Sequence, residues 1–199
     1  MHEETGAIVT TNDNWNSHRQ DVLTTGFAPA DEHESAITAS LEPGSYTAVL
    51  RGLNGTSGVA LFELYDIDPQ NSRIANISTR GSVGLGDNVM IGGFVVGGDQ
   101  RTKVIVRALG PTLTDFGVSG ALADPTLELH DGNGAVIWQN DNWKSTQQSA
   151  IQNSGYAPPN DAEAAILATL QPGNYTAIVR GNNNTTGIAL VEIYNVDAN

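Results

Sequence analysis

Short runs rich in Val, Ile, Thr and Tyr recur along this chain, and clusters of Gly, Pro, Asn and Asp separate them. β-branched and aromatic residues suit a pleated, half-buried surface, and turn formers at such spacing mark strand ends. The pattern predicts strands at 7–11, 36–41, 45–51, 59–66, 73–79, 88–96, 103–109, 126–130, 135–139, 165–170, 174–180 and 188–195. Helix signals are weak. Residues 31–40 and 161–169 read as loops, at most with one helical turn, that lead into strands. Many short strands without alternating helices predict an all-β sandwich or jelly roll.

The pattern then repeats. Asn12-Asp13-Asn14-Trp15 returns as Asn140-Asp141-Asn142-Trp143, and Leu41-Glu42-Pro43-Gly44-Ser45-Tyr46-Thr47-Ala48 returns as Leu170-Gln171-Pro172-Gly173-Asn174-Tyr175-Thr176-Ala177. The offset is 128 residues before one small gap and 129 after it. Residues 27–68 and 156–197 share 22 identities in 42 positions. A fixed period signals repeated modules. Two copies of a scaffold or binding unit are expected, in preference to two copies of one catalytic site.

One complete unit is expected at 72–199, with eight strands and a joint at 68–72. Residues 1–68 match only the second half of such a unit, so the fold expected is one and a half tandem β-sandwich (jelly-roll-like) repeats. Met1-His2-Glu3 aligns with Leu129-His130-Asp131, which suggests a fragment of something longer. A half sandwich exposes an apolar face and unpaired strand edges. Upstream strands, another copy of the chain, or residues 72–130 of this chain are the three ways to cover it.

Turn chemistry suggests specific hairpins. Asn54-Gly55 lies between two predicted strands and tolerates the positive φ of a tight turn, and Asn183-Asn184 stands there in the second copy. Pro43-Gly44 and Pro172-Gly173 mark another turn. Arg51 and Glu63, retained as Arg180 and Glu192, are then expected to pair as ions across that hairpin.

Composition narrows the function. The formal net charge of −13 opposes nucleic acid and anionic membrane surfaces, both of which need basic patches. There is no cysteine, which excludes disulfides and thiolate chemistry. No apolar run reaches the roughly 18 residues of a membrane span. No histidine spacing suggests zinc, and Gly117-Val118-Ser119-Gly120 misses the nucleophile elbow. The chain is therefore not expected to be an enzyme.

Two candidate chemistries remain. Asp13, Asn14, Asp141 and Asn142 offer hard oxygens for calcium. Calcium takes six to eight oxygens, so loops such as 31–34 and 160–163 would have to add more. The alternative is that these residues cap turns through side-chain to backbone bonds. Trp15, Trp143 and Trp138 are candidate stacking platforms for sugars. A Trp repeated in both copies, as Trp15 and Trp143 are, equally suits a core plug at one end of a sandwich. Trp138 faces Thr10 in the alignment and is the ring expected outside.

Leu127-Glu128-Leu129-His130-Asp131, Asn140-Asp141-Asn142-Trp143 and the run Leu170 to Val179 together resemble the bacterial pre-peptidase C-terminal domain. That resemblance implies a β-sandwich carried by secreted hydrolases and surface proteins, some of which bind calcium or polymers. Residues 72–124 are similar to tandem repeats in large exported proteins of Verrucomicrobia and related bacteria. The landmarks are Ile77-Ser78-Thr79-Arg80-Gly81, Gly92-Gly93-Phe94-Val95-Val96 and Arg107-Ala108-Leu109-Gly110-Pro111. The expected function is a secreted, non-catalytic structural or adhesive repeat at the bacterial cell surface or outside the cell. Its expected partners are copies of itself or neighbouring repeats. The alternative is a module that binds carbohydrate or another polymer, with or without Ca2+, attached to a secreted hydrolase.

Overall fold

The structure is a computed structural model and describes residues 1–69 and 74–196. Most of the expected joint at 68–72 and the first residue of the strand expected at 73–79 lie outside the described residues. The chain divides into two compact units, Met1–Arg73 and Ile74–Asn199.

In the first unit the regular elements are β1 (His2–Glu3), α1 (Arg19–Thr25) and β2 (Tyr46–Thr47). The second unit carries β3 (Asn76–Val83), β4 (Met90–Val96), β5 (Thr102–Leu109), β6 (Pro125–His130) and β7 (Val136–Asn140). Then follow α2 (Gln148–Asn153), β8 (Ala164–Leu170), β9 (Gly173–Gly181) and β10 (Gly187–Asn195).

The second unit is an all-β sandwich of two antiparallel sheets, ordered β3-β10-β5-β8 and β4-β9-β6-β7. Along β6, Pro125, Leu127 and Leu129 are buried while Thr126, Glu128 and His130 are only partly covered, as one buried face requires. Leu127, Leu129, Val106, Ile166, Val179 and Val191 meet in the core between the sheets. A smaller cluster lies on the outer side, where Trp143 and Ile151 cover Ile105, Ala165 and Leu167. Strands β5 and β8 are therefore buried on both faces, which explains the unbroken apolar run Ala164-Ala165-Ile166-Leu167-Ala168.

The two short helices were not visible in the sequence. Each holds one turn or two and buries a single apolar side chain, Val22 in α1 and Ile151 in α2, so no amphipathic period builds up. The hairpin expected around Asn54-Gly55 and Asn183-Asn184 is corrected. The left-handed φ angles are there, 54° at Asn54 and 53° at Asn183. However, β9 and β10 belong to different sheets, so the connection crosses the sandwich instead of closing a ladder.

The first unit repeats these local details without the two four-stranded sheets. Gly52 and Gly181 sit alike: a Cβ on either would stand 2.0 Å from the carbonyl oxygen of Thr56 or Thr185. The hydroxyl of Tyr46 donates to the Glu42 carbonyl at 2.9 Å, as that of Tyr175 does to Gln171. Yet among the described residues from 36 to 69 only Tyr46–Thr47 is strand. Its ladder to β1 pairs His2 with Thr47, the counterpart of His130 with Thr176. The stretches expected at 36–41 and 59–66 form no ladder, and Val59 and Leu61 are 94% and 80% exposed.

Core truncation should separate the two units. Ile166→Ala should destabilise the second unit by about 2–5 kcal/mol in chemical denaturation. Leu61→Ala, its side chain already in solvent, should change stability by under about 0.5 kcal/mol.

Candidate functional site

The repeated Asn-Asp-Asn-Trp motif ends β7 and begins the turn before α2. Asn140 is buried, and its Oδ1 accepts the Ala165 N–H at 3.0 Å. Its Nδ2 donates to the Asn142 carbonyl at 3.1 Å and to the Ser145 hydroxyl at 3.3 Å. Trp143 is 4% exposed; its indole N–H donates to the Asn160 carbonyl at 3.1 Å and its backbone N–H to the Glu163 carbonyl at 2.9 Å. The first unit has the same geometry. Asn12 accepts from Ala36 at 3.0 Å and donates to Asn14 at 3.2 Å. Trp15, 5% exposed, donates to Asp31 at 2.9 Å through its ring and to Glu34 at 2.8 Å through its backbone. Burial leaves neither ring a free face for a sugar, and the two tryptophans plug the turn.

Glu163 is fully buried beneath this motif. Its Oε1 accepts the N–H groups of Gly110 at 3.2 Å and Thr112 at 2.9 Å, and Oε2 accepts that of Asn160 at 3.2 Å. A buried carboxylate is tolerable when its lone pairs are met in this way. It ties the β5–β6 connection to the start of β8. The sequence offered Glu163 as an extra calcium ligand; its oxygens are spent on backbone amides.

Glu192 holds the second polar centre. The pairing expected with Arg180 is corrected: Arg107 Nε donates to Glu192 Oε2 at 2.9 Å, and Arg107 Nη1 to the Tyr156 carbonyl at 3.0 Å. Arg180 instead donates to the Gly86 carbonyl at 3.3 Å. The reason is the crossing described above, which puts Arg180 and Glu192 in different sheets, whereas Arg107 on β5 lies directly across from Glu192 on β10. The Tyr194 hydroxyl donates to Glu192 Oε1 at 2.9 Å, and burial followed by the Glu192 charge raises its pKa. Arg107 has no counterpart in the first unit, so comparing the copies gave no signal for it.

The calcium candidates do not gather into a cage. Asp13 and Asn14 are exposed, and their backbone carbonyls accept from Ser35 and Ser17. The Asn142 carbonyl is taken by Asn140 and Ser145. Asp141 is brought near Asp124, which the sequence did not single out. One carboxyl oxygen of each is buried without a hydrogen-bond partner, while the other oxygen of Asp124 accepts from Asn182 at 2.8 Å. Burial, then repulsion from Asp124, pushes the Asp141 carboxyl above the usual carboxylate range. Among the described residues no group of three or more His, Cys, Asp or Glu side chains could hold a metal ion. Two carboxylates fall well short of six to eight oxygens.

Trp138 stands apart from the other tryptophans. It pairs with Leu129 across the β6–β7 ladder but lies on an edge strand and is 45% exposed. Beside it Val136, Ile137, Gln139, Thr146 and Gln147 line an open cleft of about 360 Å³.

No protein-family model matches the chain, and no curated protein matches it. Among solved structures it is similar to the pre-peptidase C-terminal domain of a collagenase from Bacillus anthracis, at 16% identity. The match covers 59% of this chain and 88% of that one, with a TM-score of 0.38. It falls in the domain family that the sequence motifs resemble. At that score it carries no argument, and the sandwich assigned above rests on the strand ladders of this chain. Among the described residues no helix is long and apolar enough to cross a membrane.

Glu163→Gln turns an amide donor toward backbone donors and should cost about 1–3 kcal/mol in denaturant titration. Asp141→Asn should act the other way. A carboxyl whose pKa is raised on folding favours the folded state below its unfolded pKa and loses that contribution as pH rises through the folded value. The substitution should therefore raise the melting temperature at neutral pH, and the gain should vanish in acid below the usual carboxylate range.

Proposed function

We propose that this chain is a non-catalytic extracellular repeat module with a structural or adhesive role, working alongside other copies or neighbouring repeats. One observation carries this reading. Several polar residues retained in both copies serve the scaffold: Asn12/Asn140 and Glu34/Glu163 bond within the Trp turn, and Tyr46/Tyr175 close the turn before β2 and β9. Residues kept for catalysis would instead converge on a reachable cleft. The formal charge of −13 and the absence of cysteine support a module that stays soluble outside the cell.

A second reading is a carbohydrate- or polymer-binding module, favoured by Trp138 half exposed beside its cleft. Aromatic rings with one face open suit apolar sugar faces. Calcium enters this reading only through Asp124 and Asp141.

Light scattering with electron microscopy of the same sample tests the first reading. The chain should associate beyond a monomer as concentration rises, because the apolar side chains exposed in the first unit favour contact. A strict monomer that sediments with an insoluble polysaccharide, and fails to do so as Trp138→Ala, would replace the first reading with the second.

A further inference from the structure

The second unit shows what its later strands need. Strand β10 lies between β3 and β5, β8 borders β5, and β9 pairs with β4. Every ladder partner of β8 and β10 thus comes from residues 74–124. Two carboxylates fasten the halves together: Glu163 takes the Gly110 and Thr112 N–H groups, and Glu192 takes Arg107.

The first unit carries the same receiving groups without the strands they receive. Glu34, the counterpart of Glu163, already accepts the Asp31 N–H at 3.3 Å, matching the bond from Asn160. Among the described residues nothing stands for Gly110 and Thr112, and Glu34 is exposed. Glu63, the counterpart of Glu192, accepts the Tyr65 hydroxyl at 2.8 Å as Glu192 accepts that of Tyr194, and no described cation pairs with it. Val59, Leu61 and Leu64 stand exposed where Ile188 and Leu190 are partly covered and Ile193 is buried in the second unit.

We propose that residues 34–67 are a docking surface for a further polypeptide segment of the 74–124 type, which supplies three strands, a Gly-Pro turn and an arginine. The segment would pair with 59–66 on both edges, with 36–41 and with 45–51. Its turn amides would dock on Glu34 and its arginine on Glu63. Charge agrees. Residues 1–69 hold two Arg against eleven Asp and Glu, while 74–124 hold four basic residues (Arg80, Arg101, Lys103 and Arg107) against four acidic ones. Copies of residues 1–196 do not by themselves satisfy the surface: each brings two halves that need covering, 1–69 and 125–196, and one half that covers, 74–124. The inference does not rest on the adhesive reading, since a polymer-binding module would be completed in the same way.

The test adds an isolated polypeptide of residues 74–128 to the full chain and follows mass by light scattering and backbone protection by hydrogen exchange. A one-to-one complex is expected, with self-association relieved and amides in 36–41, 46–51 and 59–66 protected at least about tenfold. Glu34→Gln with Glu63→Gln in the chain, or Arg107→Ala in the added segment, should weaken the complex about tenfold or more. Should the free segment precipitate, joining residues 74–128 directly ahead of Met1 should give the same new protection. No gain in protection, or a gain confined to 164–195 by exchange into the second unit, overturns the proposal. So does binding indifferent to both carboxylates. Self-association that ignores the segment would leave the adhesive reading standing and remove this one.

Discussion

In the sheet β3-β10-β5-β8 no ladder joins β10 to β8; both are held by β5, which lies between them. Strand β5 is covered on one side by the sandwich core, through Val104 and Val106, and on the other by the cluster around Trp143, through Ile105. There hydrogen-bond geometry and apolar burial reinforce each other. Early and late strands interleave, so the ladders of β8 and β10 are completed by strands of the other half. The first unit, which matches the late strands in sequence, keeps the turns and forms only the β1-β2 ladder.

The polar groups follow the same division. Glu163 and Glu192 sit on β8's approach and on β10, and their partners Gly110, Thr112 and Arg107 sit on or just after β5. Buried polar groups of this kind contribute little net stability when paired but cost free energy in any arrangement that leaves them unmet. They act as registration marks between halves. Their counterparts Glu34 and Glu63 remain tolerable in the first unit because both are exposed to water.

Much of the candidate site was legible as a repeated motif and illegible as a role. The alignment located Asp13/Asp141 and Trp15/Trp143, but could not say that the tryptophans face inward or that the asparagine oxygens and carbonyls brace a turn. Trp138, expected outside because Thr10 stands opposite it, is half exposed on an edge strand. Asp124 escaped notice because its approach to Asp141 depends on contacts made through space, between β6 and the end of β7.

What the sequence by itself determined was local. Strand composition and turn residues located β3 to β10 to within a few residues, since both act over a few neighbouring positions. The positive φ at Asn54 and Asn183 was equally readable, because it depends on one residue type. Tertiary structure decided which strands are neighbours. An Asn-rich connection serves a hairpin or a crossing between sheets equally well, so Glu192 met Arg107 instead of Arg180. It also decided whether a strand exists at all. Residues 36–41 and 59–66 have the composition of strands, but a ladder needs a second chain segment at hydrogen-bonding distance, and composition cannot supply one.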